Sequence, residues 1–301
     1  MTQHTICILG GSGFFGRHLC ARLAKAGHQL RVLTRRREEH RDLLVLPTLE
    51  LVECNVHDPD ALSQALAGCD VVINLVGILN ERGHNGSGFR RAHVELPQKV
   101  VEACRANNIH RLLHMSALGA DAEHGPSHYQ RTKGEGERLV HDSGLNVTTF
   151  RPSVMFGEGD SFFNRFAGLL RITPGLFPLA CAGARFAPVW AGDVVEAYAL
   201  AIDNPATWGK GYELCGPRVY TLQQLVEYTA SQLGLRRKVI PLPDWLSRLQ
   251  ANVLEYFPGK PFSRDNYLSM QRDNVCSGDF PAEFGIIPRS IESVVPQYLH
   301  R

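Results

Sequence analysis

The sequence predicts an α/β chain, a doubly wound parallel sheet with a small, mostly helical C-terminal lobe, on three features. Short apolar runs alternate with segments of helical periodicity through the first half. A glycine-rich turn, Gly10-Gly11-Ser12-Gly13-Phe14-Phe15-Gly16, stands between the first run and the first helix. After Arg151-Pro152 the rhythm changes, and glycine and proline become frequent between longer helical segments.

In chain order, residues 6–9 form the first strand, and Phe15, Leu19, Leu23 and Ala26 recur at helical spacing behind the glycines. Strands follow at 30–33 and 49–52, then a helix over 59–66 opened by Asp58, and a strand over 71–75. A helix over 97–104 buries Pro97, Val100, Val101 and Cys104. A fifth strand at 112–115, a helix over 127–142 and a sixth strand at 147–150 complete the series. Such alternation implies right-handed crossovers and a sheet covered on both faces. We expect a nucleotide-binding domain over 1–155 and a smaller substrate- or partner-binding lobe over 156–301, interleaved with it. The lobe has helices at 192–202, 222–234 and 244–257 and strand-like pieces at 186–190 and 211–214.

The composition narrows the function. In 301 residues, 44% hydrophobic and 21% charged side chains supply a core and exclude global disorder. Against 30 acidic residues, 32 basic ones leave a net charge of +2, which gives no electrostatic case for nucleic acid. The eight cysteines include no C-x-x-C pair and are expected as small buried hydrophobes in a reduced, cytosol-like compartment. Met1-Thr2-Gln3-His4 does not read as a targeting segment. The apolar stretch over 166–184 is broken by Arg171, Pro174, Gly175 and Pro178, so no membrane span is expected. The thirteen histidines are dispersed, so no metal site is expected. Ser116 lies outside any G-x-S-x-G elbow, which disfavours a hydrolase.

The glycine turn carries the first chemistry. Gly10 permits a tight turn, Gly13 lets backbone approach a pyrophosphate, and Gly16 allows close packing; the following helix supplies unpaired N–H groups and partial positive charge. Its position at the first strand–helix junction points to a dinucleotide. Where an acidic residue would bind the ribose 2′-OH of NAD, the chain reads Thr34-Arg35-Arg36-Arg37. Guanidinium groups at Arg35 and Arg36 suit a 2′-phosphate, so NADP(H) is expected in preference to NAD(H). Asn55 and Val56 fall where an adenine would lie, and Leu75, Val76 and Gly77 where the ribose and phosphate would lie.

Tyr129 and Lys133 stand at i and i+4 on one helix face, continued inward by Gly136 and Val140. A phenol beside an ammonium should have its pKa lowered, which suits proton transfer. Ser116, at the end of the fifth strand, can reach the same substrate oxygen.

The glycine turn, Ser116, the Y-x-x-x-K pair and Arg151-Pro152-Ser153-Val154-Met155-Phe156-Gly157 together resemble the short-chain dehydrogenase/reductase superfamily, in its extended, epimerase/dehydratase-like branch. Further segments (71–77, 114–116, 157–167 and 272–275) are most similar to the NAD(P)H-binding accessory subunit of respiratory complex I, alpha subcomplex subunit nine, and its bacterial relatives. The resemblance implies a Rossmann fold. It makes Tyr129 the acid/base, Lys133 the holder of the nicotinamide ribose and Ser116 the group that polarises a carbonyl, with Pro152, Ser153 and Val154 against the nicotinamide. One departure stands out: where the extended branch usually carries Asn-Val, this chain reads His93-Val94.

Two functions follow as expectations. One is an oxidoreductase or epimerase/dehydratase acting on a small carbonyl or quinone-like substrate, linked to quinone metabolism or respiratory electron transport. The other is a non-catalytic, NADPH-bound subunit or assembly partner of respiratory complex I. The expected location is the cytoplasm, peripheral at the inner face of a membrane where the chain docks there. The segment with Trp245, Leu246, Leu249, Val253, Leu254, Tyr256 and Phe257 is amphipathic, and reads either as core packing or as a docking surface.

Overall fold

Along β1 (Thr5–Leu9) side chains alternate between two cores: Ile6 and Ile8 enter one, Cys7 and Leu9 the other. A strand shows successive residues to opposite faces, so a run apolar at every position is buried on both. The computed structural model describes residues 2–258 and 260–299; Met1 of the N-terminal tetrapeptide lies outside them.

The first half follows the expected order. After β1 come α1 (Phe14–Lys25), β2 (Gln29–Thr34), β3 (Leu49–Glu53), α2 (Pro59–Leu66) and β4 (Val71–Asn74). A short α3 (Ser87–Arg90) runs through a wide π turn (Arg91–Glu95) into α4 (Leu96–Ala106). Then come β5 (Arg111–Met115), α5 (His128–His141) and β6 (Asn146–Pro152). Capping sets several starts: Asp58 accepts from the N–H groups of Asp60 and Ala61 ahead of α2, and Ser127 accepts from that of Gln130 ahead of α5.

Beyond 155 lie β7 (Met155–Phe156), α6 (Phe163–Ile172), β8 (Leu176–Leu179), β9 (Arg185–Phe186), β10 (Val189–Trp190) and α7 (Ala191–Ala201). They are followed by β11 (Lys210–Leu214), β12 (Tyr220–Thr221), α8 (Leu222–Gln232), β13 (Lys238–Pro241), α9 (Asp244–Leu254) and α10 (Arg264–Ser269). The strand piece read at 186–190 is two strands, which pair into different two-stranded sheets. β11 is the outer strand of the main sheet rather than part of the lobe, parallel to β6.

That sheet has seven strands, all parallel, in the order β11-β6-β5-β4-β1-β2-β3. The order reverses between β1 and β4, the point beyond the carboxyl ends of the strands where such sheets take ligands. α1 and α7 contribute to the core on one face; α2, α4 and α5 contribute to the other. Arg111 fastens α7 to the sheet: its buried guanidinium donates to the carbonyls of Ala201 and Ile202 and to Thr148 and Thr207. A third core, around Phe156, Phe163, Leu170, Leu225 and Ile291, holds the lobe together.

Two expectations need correction. Cys215, just past β11, is disulfide-bonded to Cys276, 61 residues on. The chain after α10 folds back across the carboxyl end of the sheet and brings the two together, which no local spacing announces; the other six cysteines are free thiols. The core-packing reading of the 244–257 segment also fails. On α9 only Ser247 and Ala251 are buried, while Trp245 (66% exposed), Leu249 (51%), Val253 (50%), Tyr256 (71%) and Phe257 (54%) face outward.

Candidate functional site

The glycine turn is built by backbone sterics. Gly10 sits at φ +79°, and its carbonyl accepts from the Gly13 N–H at 3.1 Å. A Cβ on Gly16 would strike the Gly10 carbonyl and the Gly11 backbone, so α1 can lie against the turn only with glycine there. Gly13 differs: a Cβ there would meet only the Gly10 oxygen, at 3.3 Å. Its bareness is therefore spent on space outside the protein.

α1 also begins with no side-chain cap and no carboxylate in its first turn. Its leading N–H groups are left to an external acceptor, and the helix dipole adds positive charge. The residues present thus fit a dinucleotide pyrophosphate, with Ser12 half-buried in the turn. Phe15 turns into the core against Tyr198, 5.3 Å between centroids, so its side chain faces away. Phe14 stays half-buried, edge-on to His18 at 5.3 Å.

Leu75, Val76 and Gly77 follow directly after β4. The side chain of Asn74 holds them by accepting from the Val76 N–H. At the end of β2, Arg36 pairs with Glu39 at 2.7 Å, and the Arg37 N–H donates to Glu53. Arg35 is exposed and, among the described residues, has no hydrogen bond or ion pair. Asn55 is exposed beside half-buried Val56, and its side chain accepts from the His57 N–H.

α5 brings Lys133 to the same edge. Its ammonium donates to the Met115 carbonyl at 2.9 Å and lies beside Gly77. Burial pushes its pKa down to about 8, against the pull of Glu137. Tyr129 packs edge-on against His93 (5.4 Å) and Phe89 (6.1 Å). Its phenol is pushed up to about 12, by desolvation and then by Asp265, opposite to the lowering expected from Lys133. Asp265 is there because it caps α5, accepting from the N–H groups of His128 and Tyr129.

Ser116 is fully committed. Its hydroxyl donates to Glu137 at 2.6 Å, and the same buried carboxylate accepts from Thr149 at 2.7 Å and from the Arg151 Nε at 2.9 Å. Burial works against that charge, but Arg151 and the two hydroxyls hold the Glu137 pKa below its ordinary value. A hydroxyl that gives its one proton to Glu137 presents only lone pairs to a ligand.

His93, in the π turn, accepts from the Ile78 N–H at Nε2 (3.1 Å). Its proton therefore sits on Nδ1 and points to Thr132 at 3.0 Å. Burial and the nearby Lys133 charge drive its pKa down to about 2, so it stays neutral. α5 approaches this turn so closely that a Cβ on Gly136 would overlap the His93 carbonyl oxygen. Beyond β6, Ser153 donates to the Asn274 side chain at 2.6 Å, and the Val154 N–H donates to it at 3.0 Å; Pro152 is buried beside them.

Glu137, Asp265 and the cap by Asn274 were not foreseen as parts of this site. Glu137 had a signal: it stands four residues past Lys133, on a face that Gly136 and Val140 turn inward, and a carboxylate buried there requires donors. A cleft of about 210 Å³ is lined by Glu81, His84, Phe89, His128, Asp265 and Leu268 among others; of these, Phe89 packs against Tyr129. No metal-binding cluster exists among the described residues, nor is any described helix long and apolar enough to cross a membrane.

The family model described as "NAD dependent epimerase/dehydratase family" matches residues 6–215, from β1 through the end of β11. The chain belongs to that family. NADH dehydrogenase (ubiquinone) 1 alpha subcomplex subunit 9 of Dictyostelium discoideum, a mitochondrial protein, is 29% identical over 88% of this chain and 74% of its own length. The ceramide reductase of Caulobacter vibrioides is 31% identical over 79% of this chain and 74% of its length. The dTDP-glucose 4,6-dehydratase DesIV of Streptomyces venezuelae, solved with NAD bound, superposes with a TM-score of 0.76. At 19% identity, over 98% of this chain and 95% of that one, it shares the fold.

Proposed function

We propose that this chain binds NADP(H) in preference to NAD(H) and exchanges hydride with a carbonyl/alcohol pair. The observation that carries the reading is convergence: the glycine turn before the uncapped α1 lies against Leu75 and Val76, and Lys133, one helical turn from Tyr129, lies against Gly77, at the carboxyl edge of the sheet. A bound nicotinamide supplies or accepts the hydride.

The chain's own residues do the rest. The N–H groups from Phe14 onward hold the pyrophosphate, and Arg35 meets the 2′-phosphate with an unengaged guanidinium. Lys133 holds ribose hydroxyls, and its charge favours the Tyr129 phenolate once a ligand brings the two groups together. Tyr129 gives or takes the proton at its phenolic oxygen. Ser116, with its proton on Glu137, accepts from a substrate hydroxyl. To polarise a carbonyl it must turn that proton away, and Glu137 then keeps Thr149 and Arg151 as donors.

The decisive test is NADPH oxidation across carbonyl and quinone panels for the wild type and Tyr129→Phe. We expect a roughly 100- to 10,000-fold loss of turnover in the variant, with cofactor affinity kept. Equal rates would remove Tyr129 from the chemistry.

A second reading is a cofactor-stabilised, non-catalytic subunit that docks on a respiratory membrane complex. The committed Ser116 proton, the raised Tyr129 pKa and the mitochondrial subunit relatives favour it. Tight NADPH binding without turnover on any panel, plus recovery with a membrane complex, would support this reading over the first.

A further inference from the structure

We infer that α9 and the turn after it form an interfacial anchor that lies on an anionic lipid surface. The helix has two opposed faces. Ser247 and Ala251 point into the protein, and Trp245, Leu249 and Val253, at i, i+4 and i+8, point out. Tyr256 and Phe257 extend the outward stripe past the helix end, and all five side chains are at least half exposed. Tyr256 carries the stripe to His84, 5.2 Å between ring centroids, at the rim of the cleft that Phe89 also lines. Leu268 of α10, packed on α9, adds to it.

Charge selects the occupant. Between positions 236 and 264, Arg236, Arg237, Lys238, Arg248, Lys260 and Arg264 stand against only Asp244 and Glu255, while the whole chain carries a net charge of just +2. Glu255 is buried and paired with Arg264. Arg248 is exposed next to Leu249, with no hydrogen bond or ion pair among the described residues; Arg236 and Lys238 are exposed at the strand that leads into α9. An apolar stripe holding Trp, Tyr and Phe, with Arg248 beside it and Arg236 and Lys238 exposed on the segment leading into α9, matches the boundary between acyl chains and negative headgroups. A protein partner would equally cover the stripe, but the local excess of positive charge favours anionic lipid.

The test is flotation of the full chain with phosphatidylcholine vesicles, with and without phosphatidylglycerol. Binding should require the anionic lipid and fall with salt. Trp245→Ser combined with Leu249→Ser should weaken it by about tenfold or more, and Arg248→Glu by a smaller factor. All three substitutions lie on the surface, so unchanged melting curves confirm that the fold is kept. Wild-type protein that fails to float with anionic vesicles, or variants that float as well as wild type, would overturn the proposal; so would a Trp245-dependent dimer seen by light scattering in place of lipid binding. NADPH affinity measured without vesicles is a separate readout, so failure here and failure of the cofactor reading are told apart.

Discussion

The glycine turn and the Tyr129 cluster lie along the same edge of the sheet, yet different physics builds them. In the turn, backbone fills nearly all the space: Gly10 takes a positive φ, and Gly16 lets α1 lie against the turn. Around Tyr129, side chains from distant parts of the chain decide the chemistry: Glu137 takes the proton of Ser116, Asp265 raises the phenol, and His93 stands where the extended branch usually carries asparagine. A motif set by sterics can be read from sequence. A motif whose chemistry depends on charge partners is legible only as far as those partners are local.

The sharpest way to probe the second region is Glu137→Gln. An amide there can accept from only two of the Ser116, Thr149 and Arg151 donors and must turn its own NH2 toward the third. We expect a loss of about 1–3 kcal/mol in denaturant unfolding, with NADPH affinity nearly unchanged. A variant as stable as wild type would mean that the buried carboxylate is not what orders Ser116.

The pH dependence follows next. His93 and His114 are held neutral, with pKa values lowered by burial to about 2 and about 3. The unfolded chain takes up their protons below about pH 6.5, so their contribution to stability falls as pH drops from there toward 3. Lys133 has a lowered folded pKa of about 8 against 10.5 unfolded, so its contribution rises with pH between those values. Melting temperature followed against pH for wild type and His114→Gln should show a shallower acid loss in the variant. Identical acid limbs would place the titrating groups elsewhere.

The smallest effect concerns coenzyme choice. Arg35→Ala should weaken NADPH by about tenfold, the order of one charge-assisted contact, and leave NADH nearly unchanged in parallel titrations. Equal losses would remove the 2′-phosphate role of Arg35.

Much of the fold was legible, because six of the seven main strands are short runs rich in apolar and β-branched residues that alternate with helical segments. β11 was not placed correctly. A short strand that pairs with β6 across some sixty intervening residues carries no local mark of its sheet. The disulfide between Cys215 and Cys276 was missed for the same reason. In the site, the residues were visible but their states were not: Tyr129–Lys133 spacing suggested a lowered phenol pKa, whereas burial and a carboxylate from α10 reverse the direction. The outward stripe of α9 was half legible, since periodicity reports an apolar face but not what covers it.

The central claim is that α1 receives a dinucleotide pyrophosphate at its bare N-terminus. The most direct measurement is calorimetric titration of NADPH into wild type and Gly13→Ala, with melting curves of both without ligand. The expected result is saturable one-site binding by wild type, lost or sharply weakened in the variant, with the fold of both intact. No binding by wild type, or equal binding by Gly13→Ala, would contradict it.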